Sequence, residues 1–435
     1  MLKRIPTDQV RLGMFIQKME GSWLSHPFWK SKFLLTDPQQ LAELKASQVK
    51  GVFIDTSKGA DVAAATPVVQ QAMARGEAVQ GGFGRAESRD LPPQPRSFRP
   101  LTPRTPPSPQ AVAPRSLAQE YGHATALINQ SVKAMHKVFD QARLGKAVQV
   151  SALEPMIDEI SNSISRNPHA FTGIAKIKKD NEYLYMHSLA VCALMISLAR
   201  QMKMSEEEVR EAGLAGLLMD VGMPHVPDEI IFKDGPLTDE EMRIMRQHTT
   251  IAHDFLALGG DMPEQVLDVC LHHHERADGT GYPHGLKGKD IGLFARMAAI
   301  CDVYDARTSN RLNRRGEDPS IVLEQMGEAV GTHFEADAFN AFVRALGIYP
   351  VGSLVRMRSG RLAVVVEQSP DDYTRPRIRA FYSIEDGKHI VPEDLDLCKY
   401  AGYDQIVCRE VPESWDLPNW ESRCSKLLRV AFRPK

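Results

Sequence analysis

The chain is poor in cysteine, and its six cysteines (Cys192, Cys270, Cys301, Cys398, Cys408 and Cys424) include no CxxC pair. That scatter argues against a disulfide framework or a zinc ribbon and for a reducing compartment. Charge of one sign is missing too, since 53 Lys and Arg against 55 Asp and Glu leave a net charge of -2. Nothing here attracts DNA, RNA or an anionic membrane globally, so any anion site must be local. Long hydrophobic runs are also absent. The start, MLKRIPTDQVRLGMF, lacks the apolar core of a signal peptide. The longest apolar helix candidate, 189–199, reads as too short and interrupted to span a bilayer. The expectation is a cytoplasmic protein.

What is present is enough for two or three domains, because 435 residues with 43% hydrophobic and 25% charged content can build more than one core. Residues 1–80 read as a small α/β domain, with strands at Val10–Gln17 and Gly51–Asp55, a helix at Pro38–Gln48 and a further short helix at Thr66–Gly81. Composition then changes sharply. Nine prolines lie between Pro92 and Pro114 among several arginines, so 81–115 reads as a flexible linker, with docking to an SH3-like or acidic partner as the alternative.

Residues 116–347 carry apolar positions at helical spacing in nine segments: Leu117–Ala142, Leu153–Ile164, Tyr183–Met202, Ser205–Leu218, Asp239–Leu258, Pro263–His274, Ile291–Tyr304, Ser320–Val330 and Ala336–Leu346. Ser205 with Glu208, and Thr238 with Glu241, have the spacing of capping boxes. An all-α bundle follows. Beyond Tyr349-Pro350 the period becomes strand-like at Ser353–Met357, Leu362–Gln368 and Arg377–Ser383, so 348–435 reads as a small β module. A short helical pattern at Glu421–Val430 ends it.

The stretch His272 to Pro283, HHHERADGTGYP, packs three histidines, carboxylates and a glycine turn into twelve residues. Neutral imidazole is the commonest protein metal ligand, so this is a candidate metal centre. A solvated, His-rich helix end is the other reading of the stretch taken alone. Elsewhere in the bundle His187 sits in YLYMHSLAVCAL, Asp220 in GLLMDVGMPHVP, His248 in MRQHTTIAHDF and Asp302 in AICDVYDARTSNRLNRR. Such scattered residues can converge inside a helical bundle.

The order of these motifs, HHER-x-DG-x-GYP followed by DVYDA-x-TS-x-R, resembles the HD-GYP subgroup of HD-domain phosphohydrolases over roughly residues 175–345. The segments LGMFI and GVFID resemble the small domain often fused ahead of it. The resemblance implies hydrolysis of cyclic di-GMP, to pGpG or GMP, at a centre of iron or manganese ions. It further implies that His187 and Asp302 bind one metal, that His248, His273 and His274 bind the other, and that Asp220 bridges both as the catalytic carboxylate. Gly281, Tyr282 and Pro283 of the glycine turn would bind substrate, as would Arg311 and Arg314. Tyr282 could stack on a guanine or simply pack on the bundle, and a lone arginine is by default a solvated side chain. Glu275 and Asp305 would orient ligand histidines or neighbouring backbone. His272 has no counterpart in the motif. Diguanylate cyclases and a second copy of the chain are the implied protein partners.

Two positions depart from the family pattern. Met219 stands where the family has a metal-binding histidine, and Met223 where it has a phosphate-contacting lysine. A thioether is a poor ligand for iron(II) or manganese(II). The position one turn before His187, where some members carry a glutamate for a third metal, is Tyr183, so at most two ions are expected. An active phosphodiesterase, a degenerate nucleotide- or protein-binding regulator, and a phosphohydrolase acting on another nucleotide all remain open on the sequence.

Overall fold

The computed structural model of the chain describes residues 2–19, 33–36, 38–46, 49, 51–60, 113, 115, 117–175, 182–233, 235–310, 316–369, 372–399, 404–430 and 432. It divides into two compact units, Met1–Arg99 and Pro100–Lys435. The helix expected at Thr66–Gly81 lies outside the described residues, as does nearly all of the 81–115 linker.

In the first unit, β1 (Leu2–Pro6), β2 (Phe15–Met19), β3 (Phe33–Leu34), α1 (Pro38–Ala46) and β4 (Gly51–Asp55) form an antiparallel sheet in the order β1-β4-β2-β3 with one helix. Ile5, Ile16, Leu44, Val52 and Ile54 are buried together as its core. The first strand of the expected Val10–Gln17 run begins only at Phe15, because the preceding residues are turned, with Met14 N donating to Arg11 O. Leu2–Pro6, unmarked in the sequence reading, pairs residue by residue with β4.

The second unit opens with eleven α-helices among its described residues: α2 (Leu117–Arg143), α3 (Val150–Arg166), α4 (Pro168–Ala175), α5 (Tyr183–Gln201), α6 (Glu206–Leu218), α7 (Asp228–Ile231), α8 (Asp239–Ala257), α9 (Glu264–His272), α10 (Leu293–Thr308), α11 (Pro319–Glu328) and α12 (Ala336–Leu346). The nine expected segments are all helical, and α4 and α7 are additional. Eight residues are too few to show a helical period, yet α4 has a clear start: Asn167 Oδ1 accepts from the His169 and Ala170 amides ahead of its first turn, and Pro168 occupies the first helical position. Both expected capping boxes form, at Ser205 with Glu208 and at Thr238 with Glu241.

Helix α5 is 19 residues long, close to the expected Tyr183–Met202, and by length and composition it is apolar enough to cross a membrane, which the reading of 189–199 did not allow, but most of it is buried within the protein. It is the central helix of the bundle. Being apolar on every face is what such a position requires.

After α12 come β5 (Leu354–Met357), β6 (Arg361–Glu367), β7 (Arg377–Ser383), β8 (Lys388–Asp396) and β9 (Ile406–Arg409), antiparallel in the order β8-β7-β6-β5-β9, and then α13 (Trp420–Leu428). The two edge strands escaped the sequence reading for different reasons. Strand β8 contains Pro392 and a largely exposed first half, both tolerated only at an edge, whereas β9 has four residues. The sheet's apolar face, with Leu354, Leu362, Val364 and Phe381, packs with Trp420 and Leu427 of α13. Arg379, buried in that layer, pairs with Asp394 and donates to the carbonyls of Leu427 and Val430 at the end of α13. A guanidinium so placed is fully paired, as burial demands. Arg429 lies over the ring of Tyr121, 4.7 Å from its centroid, which ties α13 to α2.

Candidate metal centre

Five separate segments deliver six side chains to one place. His187 comes from α5, Asp220 from the residues just after α6, His248 from α8, His273 and His274 from the end of α9, and Asp302 from α10. The approach of α6 to α8 depends on Gly222, because a Cβ there would lie 2.1 Å from the His248 carbonyl oxygen. That contact sets Asp220, two residues earlier, against His248.

Asp220 is the hinge of the arrangement. Its Oδ2 lies 3.3 Å from His187 Nε2, while its Oδ1 lies 3.5 Å from His248 Nε2 and 3.6 Å from His273 Nε2. Asp302 Oδ1 is 3.1 Å from His187 Nε2, and its Oδ2 is 3.9 Å from His274 Nδ1. One nitrogen from each of His248, His273 and His274 lies within 4.8 Å of the others, a grouping able to hold a metal ion. The six residues that the motifs single out therefore converge.

The hydrogen bonds behind the imidazoles decide which nitrogen is free. His248 Nδ1 lies 2.7 Å from the Met245 carbonyl and His273 Nδ1 lies 2.9 Å from the Val269 carbonyl. A carbonyl can only accept, so both Nδ1 atoms carry hydrogen, and in the neutral rings both Nε2 atoms present lone pairs to the centre. Those two Nε2 atoms are 3.4 Å apart. Two lone pairs at that distance cannot bond each other, and a shared cation satisfies both, so the donor set fits a metal. His187 Nδ1 likewise faces Asp305 Oδ2 at 2.7 Å, which leaves its Nε2 toward Asp220 and Asp302.

The protonation tendencies follow from charge and burial. Burial pushes His187 down, but its hydrogen bonds to Asp220, Asp302 and Asp305 outweigh this and hold it well above the usual imidazole range. His274 is held well below that range by burial and by the neighbouring His273 and His248. Burial also lowers His248. Burial alone would raise Asp220, yet His187 and His273 beside it keep its carboxyl well below the carboxylate range.

The glycine turn is built onto this cluster. A Cβ at Gly281 would meet the Arg276 nitrogen and Glu275 Cα at 2.5 Å each, so only glycine allows the turn to close on the end of α9. Tyr282 stacks on His274 with ring centroids 4.8 Å apart, and the Arg246 guanidinium lies 4.9 Å from the same tyrosine centroid. The Tyr282 ring thus packs on side chains of the bundle, against His274 and Arg246. Pro283 is exposed at the turn. Glu275, 1% exposed, accepts from the amides of His284, Gly285 and Leu286 at 2.7, 2.9 and 3.1 Å. His272 stands outside the cluster, bonded to Asp268 at 2.7 Å and to His284 at 2.9 Å.

Met219 is wholly buried and Met223 partly exposed, flanking Asp220. His225 is exposed. Tyr183 stacks parallel to His187 at 6.0 Å. Arg311 and Arg314 lie outside the described residues. The sequence reading passed over Arg246, Asp268 and His284. For Asp268 a signal existed, since it is four residues before His272 on one helix face, while Arg246 shows itself only through its contact with Tyr282.

Comparison with known proteins gives the family. Residues 160–338 match the HD domain model, and residues 2–153 match a model described as a domain of unknown function, DUF3391. The chain is 43% identical over 430 residues to the cyclic di-GMP phosphodiesterase PA4108 of Pseudomonas aeruginosa, covering 99% of this chain and 97% of that protein. This chain belongs to the HD-GYP family. Another relative, the cyclic di-GMP phosphodiesterase response regulator RpfG of Xanthomonas campestris, is 37% identical over 148 residues, 34% of this chain and 39% of the relative. Among solved structures, the HD-GYP-type protein Bd1817 of Bdellovibrio bacteriovorus aligns with 79% of this chain and 98% of its own, at 14% identity and a TM-score of 0.43.

Proposed function

We propose that this chain is a metal-dependent phosphodiesterase that opens cyclic di-GMP in the cytoplasm, giving pGpG and, by a second round, GMP. The observation that carries the reading is Asp220, whose two carboxylate oxygens face two different groups of ligands. In this reading His187 and Asp302 would hold one ion, His248, His273 and His274 would hold another, and Asp220 would serve both. Iron and manganese suit such a mixed imidazole and carboxylate set. Bound there, a pair of cations would supply charge to the phosphoryl oxygens and acidify water at neutral pH.

The chain's own groups do the rest. The backbone acceptors behind His248 and His273 fix those two imidazoles in the tautomer that points the Nε2 lone pair inward, and Asp305 behind His187 turns its Nε2 toward Asp220 and Asp302. Glu275 fixes the turn that brings Gly281, Tyr282 and Pro283 beside His274. Hydrolysis places the water oxygen on phosphorus and returns a proton to the departing 3′ oxygen. Arg311 and Arg314 are proposed phosphate contacts, following the motif alone.

The test is turnover of cyclic di-GMP by protein purified without oxygen and loaded with iron or manganese, followed as pGpG and GMP against a His273→Ala control. Product formed by the loaded protein and not by the control is the expected result. A second reading rests on the buried Met219 beside Asp220. If the loaded protein binds cyclic di-GMP without cleaving it, the chain is a nucleotide-binding regulator. Preferred turnover of a different nucleotide would instead redirect the substrate assignment.

A further inference from the structure

Arg246 is exposed on α8, two residues before His248. Among the described residues its guanidinium makes no hydrogen bond or ion pair with any carboxylate, and its side-chain contact is the face of Tyr282. That placement is unusual for its surroundings. Other arginines of the bundle have acids: Arg243 pairs with Glu240, Arg210 with Asp158, and Arg307 with Glu317. Arg246 is instead held by a ring that itself stacks on His274 of the centre. The guanidinium's planar fork suits a phosphate, and lying over an aromatic face leaves its N–H edge free to donate.

Met223 adds a second consideration. The short turn Met223–His225 packs against α8, so the apolar Met223 and the cationic Arg246 belong to adjoining elements. A cyclic dinucleotide brings two phosphodiesters. One is engaged at the centre during cleavage, and the other needs a cation outside it. We infer that Arg246 is a substrate-binding residue that takes the phosphate not being cleaved, positioned for that role by Tyr282. This rests on the phosphodiesterase reading above.

The experiment compares wild type, Arg246→Gln and Arg246→Lys, all metal-loaded, on two probes. Cyclic di-GMP has two phosphodiesters, and bis(p-nitrophenyl) phosphate has one. Arg246→Gln is expected to raise KM for cyclic di-GMP roughly tenfold or more, the order of one charge-assisted hydrogen bond, with kcat within about twofold by the criterion for lost uniform binding. Arg246→Lys should recover most of that loss, and neither variant should alter kcat/KM for bis(p-nitrophenyl) phosphate. An unchanged KM for cyclic di-GMP overturns the inference. So does an equal loss on both probes, which would make Arg246 only a prop for Tyr282. Should wild type cleave bis(p-nitrophenyl) phosphate yet neither bind nor cleave cyclic di-GMP, the substrate reading itself fails and this inference with it. Intact turnover of cyclic di-GMP with an indifferent Arg246→Gln would sink the inference alone.

Discussion

His187 and Asp305 are joined across 118 positions of sequence by a 2.7 Å hydrogen bond from Nδ1 to Oδ2, with both side chains buried. Asp305 is itself held, since its Oδ1 accepts from Ser309 Oγ at 2.9 Å. The carboxylate thus orients the His187 ring and points Nε2 at Asp220 and Asp302. Replacing Asp305 by Ala should weaken metal binding at the His187 side by about 10- to 100-fold, the usual cost of losing such support. Competition with a chelator of known affinity measures this. Undiminished affinity at both metal equivalents would show that packing alone orients the imidazole.

Glu275 spends its carboxylate on three successive backbone amides rather than on a metal. Glu275→Ala leaves the amides of His284, Gly285 and Leu286 without their acceptor, at about 1–3 kcal/mol for each one that stays buried. The segment 279–286 should then exchange its amide hydrogens at least several-fold faster, while the His248, His273 and His274 grouping, held by Met245 and Val269 carbonyls, keeps its metal. Unaltered exchange in that segment after substitution would mean the turn stands without Glu275.

How much of this was legible beforehand depends on what each feature needs. Nine helices declared themselves because each repeats its apolar face over several turns, whereas α4, α7 and β9 are too short for any period to emerge. Strand β8 hid for another reason, carrying a proline and an exposed half that only its place at a sheet edge permits. The convergence of His187, Asp220, His248, His273, His274 and Asp302 came from motif order, not from physics of the residues one by one. What no local pattern could give is contact across elements. The stack of Arg246, Tyr282 and His274 joins α8 to the turn after α9, and the three amides on Glu275 depend on a chain reversal.

Away from the centre, Glu120 of α2 is fully buried and accepts from Arg166 Nε at 2.8 and 2.9 Å and from Ser163 Oγ at 2.9 Å, both on α3. Burial raises its carboxyl, but Arg166 and Ser163 outweigh that and leave it below the usual glutamate range. A depressed folded value means the carboxylate stabilises the fold above the unfolded value of about 4.3. That contribution disappears as pH falls through the lower folded value. Glu120→Ala should therefore cost about 3 kcal/mol near neutrality, the order of breaking a buried pair, and progressively less below about pH 4. Urea midpoints of wild type and variant at pH 7 and pH 3 measure the gap. A gap that does not narrow in acid would assign the cost to packing instead of charge.

Met219 and Met223 bracket Asp220 at the two positions where the sequence departs from the family motif. Met219 is wholly buried at the end of α6, so an imidazole introduced there enters a packed site whose nearest neighbour in sequence is the carboxylate shared by both ligand groups. Met223 stands at the first position of the turn beside α8, its amide bonded to the Asp220 carbonyl. An ammonium there would add a cation on an element that packs against α8, which carries Arg246. Met219→His with Met223→Lys should therefore raise bound metal per chain at limiting concentration. It should also raise kcat/KM for cyclic di-GMP by about ten- to a hundredfold, the range for one new charge-assisted contact. The two readouts separate the causes: metal content reports on Met219 alone, and Met223→Lys by itself should change KM without changing metal content. If the double variant binds no more metal and turns over no faster, the buried thioether is not occupying a ligand position, and the His187 side of the centre is complete with His187, Asp220 and Asp302.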